Sequence, residues 1–258
     1  MGLPLFKENK QETQVDDPIN QEKKRLYEAI KHIPHRIGVH AGKGGVGKTF
    51  LTTQLALLYA QQGLRVGILD ADVDCPNIPS AYNLEEDMLI DEDNKLIPVE
   101  YRGVKVASTG FMQKNDESLI IRGPIKHRLL TDFIEKTAWG ELDVLLFDFP
   151  PGTSDVPLSA MQVANLTGLV LITTPQKEAL QDCRRAIHMT RKIGTPILGL
   201  VENMAGPVFG EKKVQQLAEE LELDLLASIP LSQETREKAE RGELALTNTD
   251  IWTSLYQN

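Results

Sequence analysis

Residues 36–49 read Arg-Ile-Gly-Val-His-Ala-Gly-Lys-Gly-Gly-Val-Gly-Lys-Thr, and no other segment of the 258-residue chain constrains its fold so tightly. A short apolar run from Arg36 to His40 breaks into four glycines within six positions, and a helical pattern begins at Lys48. Glycine lets the backbone turn where other residues clash, so several N–H groups can point at one spot. The helix that follows adds its positive N-terminal end, and together these make an anion site. Gly42 to Thr49 also fits G-x-x-x-x-G-K-[ST], the loop that wraps nucleotide phosphates. In that chemistry Lys48 reaches the outer phosphates and the Thr49 hydroxyl ligates Mg²⁺. The expected ligands are therefore ATP and Mg²⁺, held by Gly42, Lys43, Gly44, Gly45, Val46, Gly47, Lys48, Thr49 and Phe50.

The rest of the chain supplies a matching framework. Apolar runs occur at Arg36–His40, Arg65–Asp70, Val104–Ser108, Asp143–Asp148, Gly168–Thr173, Ile197–Val201 and Leu225–Ile229. Amphipathic stretches separate most of them, at Lys48–Gln62, Ile125–Thr137, Val156–Ala164, Lys177–Ile193 and Glu211–Leu221. Strands apolar throughout, alternating with helices, predict a single-domain α/β fold of the P-loop NTPase kind. Its mostly parallel twisted sheet should have about seven or eight strands with helices on both faces. The expected organisation is a polar tail and short helix over 1–34, then one ATPase domain over 35–258. Leu26, Ile30 and Ile33 carry the helical spacing before Pro34 stops it. The acidic, turn-rich stretch Glu85–Val99 reads as a surface excursion.

Composition excludes some functions. With 28 basic and 37 acidic residues the net charge is −9, without the concentrated basic surface that nucleic acid requires. No apolar run reaches the length of a membrane span, and the first residues lack a secretory pattern. The opening Met-Gly is not a myristoylation signal, because Phe6 stands where Ser or Thr is needed. Two cysteines, Cys75 and Cys183, suit a reducing compartment. No nucleic acid and no membrane are expected, and the expected location is cytoplasmic.

Two further strands end in carboxylates. Val66-Gly-Ile-Leu-Asp-Ala-Asp72 places Asp70 and Asp72 two residues apart, which on a strand puts both on one side. Strand C-termini are where ligands sit in open α/β sheets. Asp148 ends the apolar run from Asp143, as expected of the carboxylate that holds a Mg²⁺-bound water, and Asp70 would support the same shell. Gly152, in the Pro-Pro-Gly-Thr-Ser turn that follows, could place its N–H on the γ-phosphate.

The second lysine makes the motif more specific. KGGVGKT (Lys43–Thr49) resembles the deviant P-loop ATPases, which include ParA, MinD, nitrogenase iron protein and the Mrp-type (ApbC-like) iron–sulfur cluster carriers. Finer features resemble the Mrp type: DADVDCPNIP (Asp70–Pro79), IRGPIKHRLL (Ile121–Leu130), WGELDVLLFDFPPGTSDVPL (Trp139–Leu158), TTPQKEALQDCRRAI (Thr173–Ile187) and PILGLVENM (Pro196–Met204). The resemblance covers Arg36 to Glu243 and implies a homodimer with ATP at the interface. Lys43 of each subunit would reach the other's nucleotide, and Asp72 would orient the attacking water, so Lys43, Lys48 and Asp72 form the expected catalytic set. Asn203 would read adenine, with Pro230 and Leu231 over the base; without the resemblance, Asn203 reads as a strand-end turn residue.

One departure matters. The carriers' C-x-x-C pair, which in a dimer supplies four thiolates to a [4Fe–4S] cluster, is missing after Met204. The chain instead runs Ala-Gly-Pro-Val-Phe-Gly-Glu. A cluster bound by this polypeptide is therefore doubtful, and Cys75 and Cys183 read as incidental or buried. The resemblance implies an ATPase of iron–sulfur cluster assembly or transfer. The alternative is a MinD- or ParA-like switch that recruits or positions an unidentified protein client without a cluster.

Overall fold

The computed structural model describes residues 18–112, 123–207, 210, 212–246 and 252–256. Most of the polar tail, Ile121 and Arg122, and residues 247–251 of the C-terminal stretch lie outside the described residues.

The first half of the chain runs α1 (Pro18–Ile30), β1 (His35–His40), α2 (Lys48–Gln61), β2 (Val66–Asp70), α3 (Ile78–Ala81), β3 (Leu89–Ile90), β4 (Leu96–Ile97), β5 (Val99–Tyr101) and β6 (Val104–Ala107). The second half runs α4 (Gly123–Lys136), β7 (Val144–Asp148), α5 (Asp155–Val163), β8 (Gly168–Thr173), α6 (Lys177–Ile193), β9 (Ile197–Ala205), α7 (Lys213–Glu220), β10 (Leu225–Pro230) and α8 (Gln233–Glu240). Among the described residues, eight strands form the main sheet in the order β10-β9-β8-β1-β7-β2-β6-β5. All neighbours are parallel except β5, which pairs antiparallel with β6 at the edge.

Every residue of β2, β7 and β8 is buried. Successive side chains on a strand point to opposite faces, so the sheet must be covered on both. α4, α5 and α6 pack in succession with α1 laid against α4 and α5, while α2 packs on β1, β2, β6 and β7. Leu26 and Ile30 are fully buried, as is Ile33 in the turn just after the helix, so the first described helix shares the core of the strands after it.

Two readings of the sequence need correction, and the surface excursion gains an internal structure. α2 is not amphipathic: ten of its residues, from Lys48 to Tyr59, are buried, because the sheet lies on one side and the C-terminal segment on another. Tyr59 donates to the Trp252 carbonyl at 3.0 Å, and Gln54 ties to the backbone of Glu243 and Ala245. The excursion over 85–99 contains a real hairpin, β3 with β4, closed by a turn in which Asp91 Oδ1 accepts from the N–H groups of Asp93 and Lys95. Finally, β9 runs on past Val201 to Ala205, so Asn203 sits within a strand rather than closing one.

β1 lies between β7 and β8, whereas the chain leaves it to form β2 on the far side of β7. The carboxyl ends of β1, β2, β7 and β9 therefore open on one crevice, at the loop of glycines.

Candidate nucleotide site

The loop from Gly42 to Gly47 joins β1 to α2, and two of its glycines are demanded by close neighbours. A Cβ on Gly42 would lie 2.1 Å from the backbone oxygen of Asp182, so the loop is pressed on α6. Gly47 has φ 95°, and a Cβ there would meet Asn203 Nδ2 at 2.1 Å. Asn203 in turn donates from Nδ2 to the Val46 carbonyl at 2.9 Å, locking the loop to β9. Gly44 and Gly45 are exposed, leaving the outer edge of the loop accessible.

Below the loop lies Asp148, only 1% exposed at the end of β7. Its Oδ2 accepts from Thr49 Oγ1 at 2.7 Å and pairs with Lys48 Nζ at 2.8 Å. Its Oδ1 accepts from Thr52 Oγ1 at 2.8 Å, a contact the motif reading missed. Thr52 stands four residues after Lys48, where helical side chains share a face and lean towards the N-terminus, so the spacing could have flagged it. Asp70 lies beside Asp148 in register across β2 and β7. Its oxygens accept from the backbone N–H groups of Asp72 and Ile78, each at 3.2 Å, and from Ser108 Oγ at 3.0 Å. Burial first, then the charge of Asp148, pushes the Asp70 carboxyl up to about 8. Asp70 thus anchors the loop after β2 while standing next to Asp148. β2 ends at Asp70, so strand alternation does not extend to Asp72.

Asp72 looks onto the loop of glycines. It is 6% exposed, its Oδ1 accepts from the Cys75 N–H at 3.2 Å, and burial raises its carboxyl above the usual range. A depression of about 400 Å³ brings Asp72 together with Lys43, Lys48, Thr49, Cys75 and Pro151. Lys43 is exposed on its rim. The expectation for Gly152 is not met in this arrangement: its N–H donates to the Ala41 carbonyl at 2.8 Å and is not free for a phosphate.

His40, just before the loop, was not singled out from the sequence. It is fully buried, and neither ring nitrogen has a hydrogen bond among the described residues. Burial, then the charge of Lys48, lowers its imidazole to about 3, a shift only partly offset by the nearby backbone of Pro150 and Gly152.

A second cleft of about 940 Å³ adjoins the first, sharing Gly47, Thr49, Phe50, Asn77 and Met204. It gathers Asn203, Pro230 and Leu231, and α8 forms one wall. Leu231 is 64% exposed, while its N–H is held by the Ala205 carbonyl at 3.0 Å. An apolar residue free to cover a flat ring thus stands beside an amide whose Oδ1 is uncommitted among the described bonds.

The cysteines do not converge on a ligand set. Cys75 is exposed beside the loop after β2, whereas Cys183 is buried in α6 with its thiol pushed up to about 12 by burial. Among the described residues, no group of three or more His, Cys, Asp or Glu side chains could hold a metal ion. These residues do not fit a cluster within one chain.

A doubly covered parallel sheet with a glycine loop between its first strand and a buried helix, and Lys48 and Thr49 gathered on Asp148, defines a P-loop NTPase. Residues 32–254 match the ParA family model, described as NUBPL iron-transfer P-loop NTPase, and the chain belongs to that family. An iron–sulfur cluster carrier protein of Aquifex aeolicus is 42% identical over 226 residues, which are 83% of this chain and 62% of that one. One from Pseudomonas fragi is 38% identical over 83% of this chain and 79% of its own length. The chain thus spans less than two thirds of the Aquifex relative. A nucleotide-binding protein of Archaeoglobus fulgidus, solved in complex with ADP, superposes with TM-score 0.75 and 35% identity over 90% of this chain and 95% of that one. The cell division ATPase MinD of Pyrococcus furiosus, at 22% identity and TM-score 0.66 over 87% and 97%, shares the fold.

Proposed function

We propose that this chain is a slow, Mg²⁺-dependent ATPase that dimerises around two nucleotides and serves iron–sulfur cluster assembly or transfer in the cytoplasm. The observation that supports it best is the convergence of Lys48 and Thr49 on one buried carboxylate oxygen of Asp148.

These donors fit the ligands. A hydroxyl and a carboxylate are the hard oxygen groups that Mg²⁺ prefers, and the exposed backbone of Gly44 and Gly45 fits phosphate oxygens. Mg²⁺ would be held by Thr49, with Asp148 behind it, and would neutralise charge on the phosphates. Lys48 would move from Asp148 to the β- and γ-phosphates. Asp72 would orient the attacking water, since its buried carboxyl lines the same depression as Lys48. Lys43, exposed on the rim, is free to reach the nucleotide of a second subunit. Asn203 would present Oδ1 to the adenine amino group, with Leu231 over the ring.

The cluster would be cargo of the protein, not a resident group. Anaerobic reconstitution with iron and sulfide tests how it is handled. A [4Fe–4S] cluster shared by a dimer would give about two irons per subunit, lost in Cys75→Ser. The geometry of the two cysteines favours the second reading, an ATP-dependent switch that acts on a cluster-bearing protein client and holds no iron itself. No retained iron beside intact ATP-driven dimerisation would support that reading. Absence of both ATP binding and dimerisation would sink the proposal as a whole.

A further inference from the structure

We infer that Thr52 is a positioning residue for Asp148, holding Oδ1 so that Oδ2 keeps facing the nucleotide; the inference rests on the Mg²⁺–ATP reading above. The Thr52 side chain is fully buried in α2, and its hydroxyl donates to Asp148 Oδ1 at 2.8 Å. A hydroxyl has one proton to give. The competing acceptor, the Lys48 carbonyl one turn back, lies farther away at 3.1 Å and is uncharged. Bonds to a carboxylate are shorter and stronger than bonds to a neutral oxygen, so Asp148 takes the proton.

What distinguishes Thr52 from the other donors is that it has no partner on the nucleotide side of the site. Lys48 and Thr49 both sit on Oδ2, and both have work on the nucleotide side of the site. When they turn to it, their hold on Asp148 is lost. Thr52 stands deeper in the helix and lines neither cleft, so it stays. The last torsion of an aspartate is broad and roughly two-fold, and a carboxylate without a fixed partner on one oxygen can rotate. Thr52 is the only described donor to Oδ1 and removes that freedom. An outer partner sets the orientation of the group it holds; losing one beside a direct ligand typically lowers metal affinity 10- to 100-fold, and behind the water-holding Asp148 the low end of that range is expected.

The test compares wild type with Thr52→Val, which keeps the shape and removes the donor, and Thr52→Ser, which keeps the donor. Binding of a fluorescent ATP analogue is followed without Mg²⁺ and then along a Mg²⁺ titration, and the melting temperature of each ligand-free protein reports folding. Thr52→Val should bind the analogue normally without Mg²⁺ yet need about tenfold more Mg²⁺ to reach the tight complex. Thr52→Ser should need close to the wild-type amount. A Mg²⁺ requirement in Thr52→Val indistinguishable from wild type would overturn the inference. So would a Thr52→Ser variant as impaired as Thr52→Val, because the methyl group's packing would then be the cause. If wild type itself failed to bind the analogue or to respond to Mg²⁺, the Mg²⁺–ATP reading beneath the inference would fall instead.

Discussion

Asp148 gathers three donors from the first turns of α2, and the consequences of removing each neighbour differ. Lys48→Ala should abolish ATP binding, since the loop loses its only buried cation near the phosphates. Asp72→Ala should bind ATP with near-normal affinity, hydrolyse it poorly and accumulate as an ATP-bound dimer; unchanged turnover would refute the role given to Asp72. Gly42→Ala places a methyl group against the Asp182 backbone, which cannot yield as a side chain tip could. Overpacking of that kind costs about 1–3 kcal/mol, and nucleotide binding should fall with it as the loop is pushed off α6. His40 makes a pH prediction. Above its ordinary value of 6.5 the ring is neutral whether the chain is folded or not, so it adds no pH dependence there. Below 6.5 the unfolded chain binds a proton that the folded chain refuses until about pH 3, so stability falls as pH drops through that window. At pH 5 the loss is about 2 kcal/mol. Urea unfolding of His40→Gln should show an acid decline shallower by that amount; equal slopes would refute it.

Among the elements, α1 and α8 show how differently two helices hold their places. α1 buries Leu26 and Ile30 completely against the layer containing α4 and α5. Leu26→Ala should therefore cost about 2–5 kcal/mol of unfolding free energy, measurable by urea titration, with nucleotide affinity unchanged. α8 buries none of its residues. Its purchase comes from its ends: Ser232 Oγ accepts from the Thr235 N–H, and Asn83 donates to the Glu240 carbonyl at 3.0 Å. An exposed helix has no apolar stripe, which is why periodicity along the chain revealed α1 and passed over α8. The amphipathic reading of α2 erred for the opposite reason, since a helix buried on nearly all sides carries no polar face. Lys177–Ile193, with a true stripe, was legible to the residue.

For the molecule as a whole, the prediction concerns assembly. ATP should shift the wild-type chain from monomer to dimer in light scattering, whereas Lys43→Ala should stay monomeric with nucleotide bound. A Lys43→Ala protein that dimerised normally would leave the exposed rim lysine as solvated loop. The sequence by itself determined the α/β class, the placement of the loop between β1 and α2, and the carboxylate at the end of β7. Each of these is local: a glycine run, a helical start or an apolar strand fixes its own few residues whatever surrounds them. Only the tertiary structure decided which groups meet. It seated Asn203 against Val46, gave Asp70 to the loop after β2, occupied the Gly152 N–H with Ala41, buried Cys183 while leaving Cys75 exposed and brought Thr52 to Asp148. Those contacts join residues from about 8 to 157 positions apart, and spacing along a chain carries no record of which strand lies next to which.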